Sequence, residues 1–193
     1  MPVWYRDRIS RSYKERNGVC MEFRLLKANE IDCRVGRVNK NGLSILLYKD
    51  ARVDQALLDE AVGPMNWQRH HSRENANCIV SIWDADKRQW VEKEDTGTES
   101  NTEKEKGLAS DSFKRACVNW GIGRELYTAP DIWVTADKVD IYEYNGKPRC
   151  DDKFLVEQIL YDDNRNIVAL CIKSARTGKR VFLMDKRPGK KKD

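Results

Sequence analysis

The sequence predicts an α+β protein, and three observations predict it. Strand-like runs separated by turn residues succeed one another over 65–94, and an amphipathic helix of about 102–120 follows. After Pro130 short strand candidates return without another long helix. A chain of 193 residues with 40% hydrophobic content can bury a core of ordinary size. No apolar run reaches the ~18 residues that a membrane span needs, so a soluble, cytoplasmic protein with no membrane partner is expected.

The elements are justified in chain order. Residues 1–20 show no periodicity and are read as a flexible basic extension; the patterned chain starts at Met21. Asn29 can cap a short helix in which Ile31, Val35 and Val38 share a face. Asn41-Gly42 marks a turn before the β-rich run Leu43–Tyr48. Arg52–Val62 reads as a helix with Val53, Leu57 and Ala61 inward, stopped by Gly63 and Pro64. The preceding section is therefore α-β-α.

Met65–His71, Cys78–Trp83 and Gln89–Glu94 then form an antiparallel meander, with the turn Asp84–Arg88 joining the last two strands. A polar loop leads to the long helix, which Gly121 and Gly123 close. The core is thus β-β-β-α. The strands expected at 132–134, 138–144, 154–161, 167–173 and 180–184 make a β-rich C-terminal extension. Four segments result: 1–20, a core domain 21–130, an extension 131–185 and a disordered basic tail 186–193.

Charge is informative through its distribution. Lys and Arg number 36 against 31 acids, a formal +5, and both ends are enriched in cations. Basic ends on a nearly balanced body suit a protein that binds a polyanion. Cys20, Cys33, Cys78, Cys117, Cys150 and Cys171 contain no C-x-x-C pair, so they are read as small apolar fillers rather than zinc ligands. His70 and His71 are adjacent on a strand, where side chains point to opposite faces, so no metal is expected there.

Within the long helix, Ala109, Phe113, Ala116, Cys117 and Trp120 fall in one stripe at about 100° per residue. Lys114 and Arg115 flank the other side, in the half of the helix whose dipole favours cations. By geometry alone such a pair reads as a solvated face.

Three motifs change that reading. Residues 112–123, Ser-Phe-Lys-Arg-Ala-Cys-Val-Asn-Trp-Gly-Ile-Gly, resemble the helix end of the Rad-fifty-two-type single-strand annealing proteins. Arg52 to Trp67 is similar to that family's helix and strand entry, and Glu94-Asp95-Thr96-Gly97 to the end of its third strand. The order and the β-β-β-α units resemble the phage and prophage branch, the Sak- and DdrA-like proteins. The resemblance spans about Ala28 to Thr128.

It implies an ATP-independent protein for homologous recombination or double-strand-break repair, in the cytoplasm of a bacterial host. Such proteins form a ring or arc with a basic groove for single-stranded DNA. By position, Lys114 and Arg115 would grip phosphates at the groove floor and Arg52 would line its wall. Two departures stand out: Val118 replaces a further basic residue, and Pro64 replaces an aromatic. Lys49, Arg69 and Arg73 are the residues nominated to compensate. Partners implied are single-stranded DNA, further copies of the chain and a single-strand DNA-binding protein.

Annealing makes no bond, so it requires no nucleophile and no cofactor, and an enzyme is not expected. Trp67, Trp83 and Trp90 are assigned to core or subunit packing rather than base stacking. The alternatives are a non-catalytic DNA-end protector on the same fold and a Mg-dependent nuclease. For the nuclease, Asp84-x-Asp86, Asp151-Asp152 and Asp162-Asp163 are the carboxylate pairs, but each falls at a turn, where Asp is favoured for backbone bonding. No phosphate-binding loop of the G-x-x-x-x-G-K-[ST] type exists.

Overall fold

The computed structural model describes residues 21–98 and 104–187, except the side chains of 104–106. The expectations for residues 1–20, for the start of the long helix at Thr102 and for the tail beyond Arg187 lie outside them. Among the described residues the fold is α+β, mostly sheet with two α-helices. Contacts divide the chain into two units. The described part of the first is 21–24 with Asp54–Ile122, and that of the second is Leu25–Val53 with 123–187.

The first unit holds an antiparallel sheet of β3 (Trp67–Ser72), β4 (Asn77–Asp84) and β5 (Gln89–Thr96), in chain order. Helix α2 (Lys104–Trp120) packs on β4 and β5. Period-two alternation puts Cys78, Val80 and Ile82 of β4 on the helix side, and all three are buried. Phe113, Ala116 and Cys117 meet them from α2 with no exposed surface. Helix α1 (Ala51–Val62) buries Leu57 and Leu58, and Gly63 follows it with φ of +83°.

The second unit is a six-stranded sheet in the order β11-β10-β9-β1-β2-β6. Its members are β1 (Asp32–Asn39), β2 (Gly42–Tyr48), β6 (Ile132–Thr135), β9 (Phe154–Tyr161), β10 (Ile167–Ser174) and β11 (Arg180–Asp185). The edge strands β11 and β6 approach each other, so the sheet curls toward closure around Leu43, Ile45, Ile132, Val134, Leu170 and Ile172. A short hairpin, β7 (Tyr142–Tyr144) and β8 (Lys147–Arg149), forms its own two-stranded sheet and touches β1 through β8.

Two expectations are corrected. The stretch read as a helix over Asn29–Val38 is a 3-10 turn, Ala28–Glu30, followed by β1. The section before the meander is therefore β-β-α. The cause is a bulge: pairing with β2 runs in step to Val35↔Ile45 and resumes at Val38↔Leu43, leaving Gly36 and Arg37 together opposite Ser44. An extra residue turns the strand spacing i, i+2 into i, i+3, which imitates a helical face. The second correction concerns the C-terminal strands, which do not form a separate extension. β9 pairs with β1, and β6 with β2, so 25–53 belongs with the strands after 130.

Candidate nucleic-acid interface

The site is best built from the sheet rows beneath α2. On the helix side the register aligns Trp67–Ile82–Val91, Arg69–Val80–Lys93 and His71–Cys78–Asp95. The apolar central column of β4 is therefore flanked on β3 and β5 by Trp67 and Val91 in one row and by polar residues in the other two. Trp67 stacks on Phe113 with ring centroids 6.2 Å apart and donates its indole N–H to Asp59 at 2.7 Å. The Arg69 guanidinium lies 4.7 Å from the Phe113 ring centroid, a cation on an aromatic face.

At the opposite edge Lys93 donates to the Asn119 carbonyl at 2.8 Å and sits 4.5 Å from the Trp120 ring centroid. A cation on the last carbonyls of a helix satisfies both an open acceptor and the dipole. The Trp120 indole N–H donates to the Val80 carbonyl at 3.0 Å, and the Asn119 amide to the Glu94 carbonyl at 2.9 Å. These bonds fix the C-terminal turn of α2, and with it Lys114 and Arg115.

The close seat of α2 depends on Gly97. A Cβ there would lie 2.5 Å from the Ser112 backbone nitrogen and 2.9 Å from the Leu108 carbonyl oxygen. Ser112 is itself buried and donates to the Asn75 carbonyl at 2.9 Å. Both residues belong to the motifs singled out in the sequence.

Arg115 is exposed and forms an ion pair with Asp95 at 3.2 Å. Lys114 is half-buried and forms no ion pair among the described residues. The neighbouring carboxylate, Asp111, is engaged by the Thr98 backbone N–H at 2.9 Å and hydroxyl at 3.2 Å. So among its described side chains the helix presents one cation held at its base by Asp95 and one without a carboxylate partner.

The other nominated residues divide between the two units. Arg69 is committed to Phe113, although it stays exposed. Arg73 is exposed in the β3–β4 turn with φ of +50°. Arg52, in the second unit, is almost fully exposed and held by Asp50 at 2.9 Å. Lys49 is corrected: it is buried, and its methylenes lie against Gly123, whose φ of +72° favours glycine. A buried lysine offers no contact to a polyanion. Lys93 was missed because one lysine in a strand carries no spacing signal, and only the helix packed on it gives it a role.

Trp83 and Trp90 form an edge-on pair, centroids 5.5 Å apart, on the sheet face away from α2. Both remain partly exposed. The acid pairs serve their turns. Asp84 accepts from the backbones of Asp86 and Lys87 and from the Lys87 ammonium, which holds its carboxyl below the usual range. Asp162 accepts from the Asn164 and Asn166 backbones, and its carboxyl is lowered chiefly by Asn166. Asp151 and Asp152 border a cavity of about 540 Å³, yet Asp151 binds Tyr142 and Arg149, and Asp152 accepts from Ser174. Among the described residues no cluster of three or more His, Cys, Asp or Glu could hold a metal ion. No described helix is long and apolar enough to cross a membrane.

Set against known proteins, the chain matches no family model, no curated protein and no solved structure.

Proposed function

We propose that the protein is an ATP-independent single-stranded DNA-binding and annealing protein that works as a ring or arc of identical subunits in homologous recombination or break repair. The observation that carries this reading is the Lys114–Arg115 pair, seated by Phe113, Ala116 and Cys117 on a three-stranded sheet and left on the accessible side of α2. Residues from each of the three motifs that resemble the annealing family meet in the first unit: Gly97 and Ser112 bring helix and strand together, and Trp67 packs on Phe113.

The chemistry needed is electrostatic. Two polyanions must approach while their bases stay free, and Lys and Arg meet that need by displacing condensed counterions. One subunit with two such cations binds weakly, and repetition around an oligomer multiplies the contacts. The setting is the cytoplasm of a phage-infected or lysogenic bacterium, beside a single-strand DNA-binding protein.

The test is Lys114→Ala with Arg115→Ala, measured on a labelled oligonucleotide across a salt series and in an annealing assay without nucleotide. The double variant keeps its oligomeric state by light scattering, and its salt slope falls by about 1.4, at ~0.7 per phosphate. Wild-type affinity at moderate salt in the double variant removes the site assignment. A wild-type chain that does not accelerate duplex formation removes the annealing function.

A further inference from the structure

The second unit carries an exposed face that the proposed groove does not use. Cross-strand neighbours point to the same side of a sheet. The register sets Tyr48, Asp32 and Leu155 in one row, Leu46 and Arg34 in the next, and Ser44 with Trp133 in a third. Tyr48 is 43% exposed, Leu46 48% and Leu155 49%. Large apolar side chains on a strand face normally lie under a second layer, and these three keep nearly half of their surface open.

Two features tell what the face is for. The first is an open spot in the layer of side chains. Gly36 stands beside Ser44, and a Cβ there would lie 2.7 Å from the Ser44 hydroxyl and 3.6 Å from the Leu46 side chain. The bulge that holds Gly36 also turns Arg37 to this side, where its backbone N–H donates to the Ser44 hydroxyl at 2.9 Å. The second is charge. Arg34, Arg37 and Lys40 are exposed and form no ion pair among the described residues. By contrast Arg115, Arg149, Arg180 and Arg187 each hold a carboxylate. Asp32 and Asp50 are the acids near Tyr48, and Asp50 is spent on Arg52. Arginines interleaved with an accessible aromatic on an open strand face match a single-stranded nucleic acid: cations for phosphates, a ring for a base.

We infer that the outer face of β1 and β2 is a second single-strand site, in which Tyr48 stacks on a base while Arg34 and Arg37 neutralise the flanking phosphates. The inference rests on the reading that the chain binds single-stranded nucleic acid. It adds to the α2 cations of the first unit a contact and a stacking residue carried by the second.

The experiment uses the full chain with an oligodeoxythymidine carrying 5-iododeoxyuridine, cross-linked by light and mapped by mass spectrometry, beside a salt series. An adduct at Tyr48 is expected, both in the wild type and in the Lys114→Ala plus Arg115→Ala variant. Tyr48→Leu keeps an apolar side chain, loses the adduct and weakens binding roughly tenfold. Arg34→Ala with Arg37→Ala lowers the salt slope by about 1.4.

Adducts confined to α2, with wild-type affinity and slope in the Arg34 and Arg37 variant, overturn the second site and leave the groove intact. The reverse result, unchanged binding in the α2 variant with a persistent Tyr48 adduct, removes the groove assignment and upholds this one. Protection of β1 and β2 amides that grows with protein concentration, without oligonucleotide, gives the face to a second copy of the chain and overturns the inference.

Discussion

The two units teach different lessons about how a chain encodes a sheet. In the first, β3, β4 and β5 lie side by side in chain order and α2 returns over them. Every strand finds its partner across one turn, so local pattern and tertiary pairing agree. In the second, β1 lies between β2, its neighbour in the chain, and β9, with Asp32 opposite Leu155. That sheet exists only once two distant segments meet, and such pairing carries the larger loop-closure cost.

The contrast is sharpened first by core truncation, where the largest effect is expected. Phe113 is fully buried under Trp67 and Arg69, so Phe113→Ala is predicted to cost about 3–5 kcal/mol in urea unfolding. Leu170→Ala is the counterpart in the curled sheet, at about 2–5 kcal/mol. Urea unfolding followed by Trp fluorescence and by far-UV circular dichroism tells whether each loss is local. Coincident transitions in both variants would break the separation of the two units.

Glycine replacement gives the next largest effect. At Gly97 the atoms a Cβ would meet belong to the α2 backbone, which cannot swing aside, so Gly97→Ala is predicted to cost about 1–3 kcal/mol. At Gly36 the nearest atom is the Ser44 hydroxyl, which can rotate, so Gly36→Ala is predicted to cost about 1 kcal/mol or less. Equal losses at the two positions would mean that helix seating is no tighter than strand pairing.

The last prediction concerns reactivity and leaves stability unchanged. Burial, with Asp32 beside it, pushes the Cys33 thiol up to about 12, and burial pushes Cys78 to about 11. Thiolate is the reactive form, so at pH 8 native Cys33 should alkylate roughly a thousandfold more slowly than an unperturbed thiol. Because Cys33 sits in one unit and Cys78 in the other, their labelling rates report the opening of each. Phe113→Ala should speed Cys78 and leave Cys33 unchanged, and equal acceleration of both would argue for a single cooperative unit.

Legibility followed the same line. The meander, α1 and α2 could be read because their apolar residues repeat at the period of their own backbone and their ends carry Gly63, Gly121 and Gly123. Strand β1 could not, because its bulge set Val35 and Val38 three apart. Of the nominated cations, Lys114 and Arg115 were legible as the side of α2 opposite Phe113. Lys49 was not, because its burial comes from the chain at Gly123, far along the sequence. Lys93 and Arg69 took their places from aromatic rings on the helix packed over them.

The amino-acid sequence by itself determined the α+β class, the meander with its helix, and the stripe that turns Phe113 inward and Arg115 outward. Short-range sterics and hydrophobic periodicity act within one element, and no distant residue is needed to evaluate them. The tertiary structure alone decided that β1 and β2 join the late strands, that Lys49 is buried, and that Arg34, Leu46 and Tyr48 share an open face. Those outcomes depend on which strand lies beside which, a choice made by burial of the whole sheet rather than by any segment's own pattern.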